Sequence, residues 1–180
     1  ASGAGGGWLH AFNGPAGNGN DFGYAVMHDN GPGGVYVAGI VNNGIGNDDI
    51  FVRKYDTNGG TQWTRYYNSP ANGNETAQGL WVGGGYVYVT GWENRSDLGQ
   101  GDNLLLLKYD TNGLREWTTS YNNSQNFDDN GVDVDVSGGF IYVAGRETRS
   151  VSGQNALVLK YDQNALLQWT TSYNSSTDGS

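Results

Sequence analysis

One pattern written three times constrains this chain more than any other feature of it. Tyr36-Val37-Ala38-Gly39 returns as Tyr88-Val89-Thr90-Gly91 and as Tyr142-Val143-Ala144-Gly145, and Lys54-Tyr55-Asp56 returns as Lys108-Tyr109-Asp110 and Lys160-Tyr161-Asp162. Seven residues after each of those Asp residues stands Trp63, Trp117 or Trp169. Successive copies lie 52 or 54 residues apart. Self-similarity at such a spacing marks units that cannot bury their own apolar faces alone and must stack on their neighbours.

Each unit reads as four short strands, with the middle unit as the clearest case. The expected strands are 77–82, 86–92, 103–109 and 115–122, separated by Gly83-Gly84-Gly85, a polar loop, and Asp110-Thr111-Asn112-Gly113. Asn-Gly and Asp-Gly chemistry between apolar runs is the strongest short-range hairpin signal. The third strand is apolar at consecutive positions, Leu104 to Leu107 and again Ala156 to Leu159, so both of its faces need cover. The fourth strand alternates, with Trp117, Thr119 and Tyr121 against Thr118 and Ser120. Sheets buried in the middle and wetter at one edge are what radially stacked blades require. The expectation is an all-β fold of β-propeller-type repeats in a single repeat domain, with four-stranded blades over 21–68, 75–122 and 129–174. The 31 Gly supply turns, and helix-forming residues are scarce. Six Trp and twelve Tyr supply core area that the aliphatic content alone does not.

Ahead of the first unit, Trp8-Leu9-His10-Ala11-Phe12-Asn13 repeats the spacing of Trp63 to Asn68, Trp117 to Asn122 and Trp169 to Asn174. It reads as a surplus outer strand over 7–13, the fourth copy of that strand. Closed propellers have about four to eight blades, so three fall short of a ring. Three outcomes stand open: several copies complete a ring, copies stack into an open array or filament in which Trp8, Leu9, His10, Ala11 and Phe12 complement a neighbour's sheet, or the chain is a piece of a longer protein.

Candidate chemistry is sparse. The two histidines, His10 and His28, are too few for a three-His zinc site, and cysteine is absent, so thiolate metal sites and disulfides are impossible. Acidic residues recur before the first strand of each unit (Asp21, Glu75, Asp129) and before the third (Asp48, Asp49, Asp102); with Asp128 beside Asp129 they form the one candidate calcium set. The competing reading is that Asp caps turns through its own carboxylate. Asp133 and Asp135 alternate with Val132, Val134 and Val136 on a strand expected to line the central channel. Sequons at Asn74, Asn94, Asn122 and Asn174 are candidates for glycosylation. Trp81 and Trp92, outside the repeating Trp column, are candidates for stacking on a sugar, against a role in packing.

A net charge of −9 repels phosphate backbones and anionic lipid, which disfavours nucleic-acid and membrane-surface partners. No apolar run is long enough to insert in a bilayer as a helix. The chain begins at Ala1 without Met, as a precursor trimmed of a leader would, or a chain whose true start lies elsewhere.

The unit Tyr-Val-x-Gly … Lys-Tyr-Asp-x-Asn-Gly-x-x-x-Trp resembles that of bacterial and archaeal surface β-propeller repeat proteins, over residues 21 to 174. Asp56-Thr57-Asn58-Gly59 followed by Trp63 also resembles the tryptophan-docking segment of quinoprotein-type propellers. The third unit departs from it, with Ala165 where Gly59 and Gly113 stand, so a turn of another type is expected there. The resemblance implies the fold and a surface location, with no catalytic residues. The function expected is therefore that of a non-catalytic extracellular or cell-surface structural protein, without a cofactor, that associates with copies of itself. The alternative is a carbohydrate-binding propeller whose partners are glycans.

Overall fold

A computed structural model describes residues 11–15, 19–29, 33–44 and 47–174. It is all-β apart from one 3-10 turn at Ser96–Leu98. Strands β1 (Phe22–Asp29), β2 (Gly34–Asn42), β3 (Asp48–Tyr55) and β4 (Thr61–Tyr67) form one antiparallel sheet in chain order. Strands β5 (Glu75–Gly83), β6 (Tyr86–Asn94), β7 (Asp102–Asp110) and β8 (Arg115–Tyr121) form the second, and β9 (Asp129–Ser137), β10 (Phe140–Arg149), β11 (Gly153–Asp162) and β12 (Leu167–Tyr173) the third. These are three four-stranded blades of a β-propeller-type fold, as the repeat predicts.

The blades stack face to face, with β5 lying across β1, β2 and β3, and β9 across β5, β6 and β7. One core layer joins Tyr36, Ala38, Ile50 and Val52 of the first blade to Val87, Val89, Leu105 and Leu107 of the second. The other joins Tyr88, Leu104 and Leu106 to Val134, Ile141, Val143, Leu157 and Leu159. Leu104 to Leu107 are all fully buried, since alternate side chains serve the two layers.

The recurring Tyr, Lys, Trp and Gly positions each have a mechanical reason. Tyr88, Lys108 and Trp117 are register partners across β6, β7 and β8, as are their counterparts in the other two blades. The Tyr and Trp rings meet at 5.9, 6.1 and 6.4 Å in the three blades, and the lysine ammonium lies over the Tyr ring at 5.2, 5.8 and 5.6 Å. Such rows are cation–π ladders on a sheet surface. The glycine of Tyr-Val-x-Gly is needed because the inner strand bulges opposite it. A Cβ on Gly39, Gly91 or Gly145 would stand 1.9, 1.8 or 2.2 Å from the carbonyl oxygen of Phe22, Thr76 or Asn130.

The bulge corrects the expected alternation in the third unit. Val132 is skipped in the pairing of β9 with β10, as Tyr24 and Gln78 are in the other blades. It is therefore exposed and does not share the buried face of Val134, while Asp133 and Asp135 are exposed as expected. The turn at Ala165 is also corrected. Ala165 takes φ 68°, beside 84° at Gly59 and 83° at Gly113, and the Asp162 carboxylate accepts from the N–H groups of Asn164 and Leu166 as Asp110 does from Asn112 and Leu114. The turn is the same one, held in a left-handed conformation that costs an alanine about 1 kcal/mol.

Candidate functional site

The outer strands carry the contacts that join one blade to the next. Trp63 Nε1 donates to the main-chain carbonyl of Thr111 at 3.0 Å, and Trp117 Nε1 to that of Gln163 at 3.2 Å. Both acceptors lie in the β-turn that follows the Lys-Tyr-Asp of the next blade. Trp169 is the third member of the column, paired with Tyr142, but it is 43% exposed and among the described residues no carbonyl receives its Nε1.

A second recurring contact is a pair of carboxylates at the end of the first two strands of a blade. Glu75 faces Glu93 in register, and Asp129 faces Glu147. All four side chains are buried. The Tyr67 hydroxyl donates to Glu93 from the preceding blade, and Tyr121 to Glu147 at 3.4 Å. Arg95 and Arg149, two residues beyond each glutamate, stand 3.5 and 2.6 Å from it. Burial opposes charge on Glu147, but Arg149, Ser172 and Asn155 outweigh it and hold that carboxyl below its ordinary range. Asp129 is pushed up to about 6 by burial, against hydrogen bonds at 2.6 Å from both the backbone and the side-chain amide of Asn123. Glu75 is pushed up to about 7, again by burial. Ser69 leans toward it and offsets part of this, yet neither carboxylate oxygen completes a hydrogen bond. Sequence reasoning placed Glu75 and Asp129 in a loop series and missed their partners. The signal was present as Gly-x-Glu-x-Arg at 91–95 and 145–149.

The calcium candidates do not converge. Asp49 accepts from the Asn43 amide and Asp48 from the Asn42 amide, Asp102 accepts from Asn94, and Asp128 receives the backbone N–H of Asp102 at 3.0 Å. Each carboxylate fastens a loop. Burial raises Asp49 and Asp102, with Asp48 and Asp128 adding to the effect. Among the described residues no group of three or more His, Cys, Asp or Glu is placed to hold a metal ion. Of the sequons, Asn94, Asn122 and Asn174 each have the side-chain amide nitrogen engaged, by Asp102, Asn126 and Asn155 respectively, while Asn74 is exposed and uses its oxygen to hold the Asp48 N–H. Trp81 packs edge-on against Tyr88 at 5.8 Å beside the second core layer, and Trp92 is half-buried on β6.

Trp8, Leu9 and His10 lie outside the described residues. Ala11 and Phe12 are described and are not in a strand. Phe12 nevertheless keeps the repeat: its ring packs at a tilt against Phe51, centroids 5.0 Å apart, and Gly14 donates its N–H to Asp21 at 2.7 Å, as Asn123 donates to Asp129. The segment covers part of the outward face of the first blade, where Phe12, Asp21, Phe22, Val26, Val37 and Phe51 line an open hollow.

A model of the LVIVD repeat, a β-propeller-type repeat family, matches residues 75–95 and 130–148. These segments are the inner hairpins of the second and third blades, β5–β6 and most of β9–β10. No curated protein matches the chain. Among the described residues no helix is long and apolar enough to cross a membrane.

Proposed function

We propose that the chain is a non-catalytic, extracellular structural protein that associates with copies of itself. The observation that carries this reading is the outward face of the third blade, where Val158, Trp169 and Tyr173 are 37%, 43% and 57% exposed. An apolar face left uncovered on a stacked repeat favours a further contact, and among the described residues this face keeps its apolar column uncovered. The buried carboxylate pairs favour a scaffold over an enzyme, because Glu75, Glu93, Asp129 and Glu147 are closed to any substrate. The likeness to surface repeat proteins and to tryptophan-docking propellers supports the location and the mode of stacking.

Sedimentation velocity and electron microscopy of the full chain across a concentration series test this reading. Rings of fixed copy number or filaments are expected, and a monomer throughout overturns it.

A further inference from the structure

We infer that the outward face of the third blade docks on the outward face of the first blade of a second copy, head to tail, in the geometry of the two contacts already inside the chain. The inference rests on the self-association reading and names its surface. Continuity with the internal contact is the first argument. That contact is built twice from the same parts: a Tyr–Trp pair on one blade, and on the next an aliphatic face and a turn carbonyl that receives the indole. Among the described residues, one half of this contact stands on each side. Blade three offers Tyr142 and Trp169, and blade one offers Val26, Val35 and Val37, with the exposed Thr57 at the position of Thr111 and Gln163.

The second argument lies at positions where the end faces depart from the repeat. Inside the chain Met27 meets Val82, whose N–H points at its sulfur at 3.0 Å, and the equivalent Trp81 and Val136 pack on the second core layer. The next pair in this series is Asp135 on the third blade and His28 on the first, by their strand registers with Tyr142 and Val35. An apolar pair is thus replaced by an acid and a base, and the two face each other only if blade three of one copy sits on blade one of another. Both are exposed. Left open to water they need no partner; docked, each supplies the other's.

Phe12 holds the position that Tyr67 and Tyr121 hold on the following blades, so docking exchanges its ring for Tyr173 of the incoming copy. The two patches differ, which makes the contact heterologous. It propagates until the rotation closes a ring or a filament grows.

Paired variants of the full chain, followed by sedimentation velocity, test the surface. Trp169→Ala and Val26→Glu alter exposed residues at opposite ends, and each raises the dissociation constant at least about tenfold. Mixed in equal amounts they form a dimer and nothing larger, because each retains one working face. Asp135→His and His28→Asp each weaken assembly, and the double variant restores it. Variants that assemble like the parent, or a mixture that stays monomeric, overturn the docking while leaving self-association intact. A parent chain that never associates overturns both.

Discussion

Strands β7 and β11 hold the same place in consecutive blades, yet one is sealed on both faces and the other on one. Leu104, Leu105, Leu106 and Leu107 have no exposure, whereas in β11 Leu157 and Leu159 are buried while Ala156 and Val158 lie open. The outer positions of the third blade are smaller, with Ala156 at the place of Leu104 and Val158 at that of Leu106, and they are apolar.

Truncation sharpens this contrast most. Leu106→Ala opens a void between blades two and three and is expected to cost about 2–5 kcal/mol in urea unfolding. Val158→Ala in the monomer is expected to cost under about 1 kcal/mol, since its side chain is exposed. Equal losses would mean that the outer face is already covered.

The two carboxylate pairs make a similar contrast, and pH reads it. The folded state holds protons on Glu75 and Asp129 more tightly than the unfolded chain does, so their contribution to stability is complete on the acid side. It is lost as pH rises through about 6 for Asp129 and about 7 for Glu75. Between pH 5 and 8 the Glu75 part is on the order of 2 kcal/mol. Glu75→Gln is expected to flatten the fall in stability near pH 7 and leave the fall near pH 6. A wild-type curve level from 5 to 8 would show that Glu75 is hydrated.

The smallest effect concerns the turns. Ala165→Gly is expected to stabilise the chain by about 1 kcal/mol in thermal unfolding, because glycine takes the left-handed conformation freely. Gly113→Ala is expected to destabilise by more than that, since a Cβ there would stand 2.9 Å from the Trp63 ring as well.

The strand series and the blade count were legible because period-two patterning and turn chemistry are local. Strand β5 reaches only two residues further at its start and one at its end than its apolar run suggests. What escaped the reading depends on register. Val132 sits in a perfect Val-x-Val-x-Val alternation, and only the bulge opposite Gly145 turns it outward. Glu75 and Glu93 are eighteen residues apart in sequence and meet because β5 pairs with β6 at that register. Ala165 looked like a break in the turn series, yet the Asp162 carboxylate and the strands on either side hold it in the shape that glycine takes elsewhere. Of the candidate assembly strand, Phe12 was legible as the counterpart of Tyr67 by spacing alone.

The indole of one blade is received by a main-chain oxygen of the next, and the residue that owns this oxygen is Thr111 in one case and Gln163 in the other. Every amino acid carries that oxygen. A unit copied in tandem and left to drift can therefore rewrite its turn without losing its grip on its neighbour, provided the tryptophan stays and the backbone keeps its bend. The latch is spelled on one side only, and that lets an array of such units vary in sequence while holding a constant pitch.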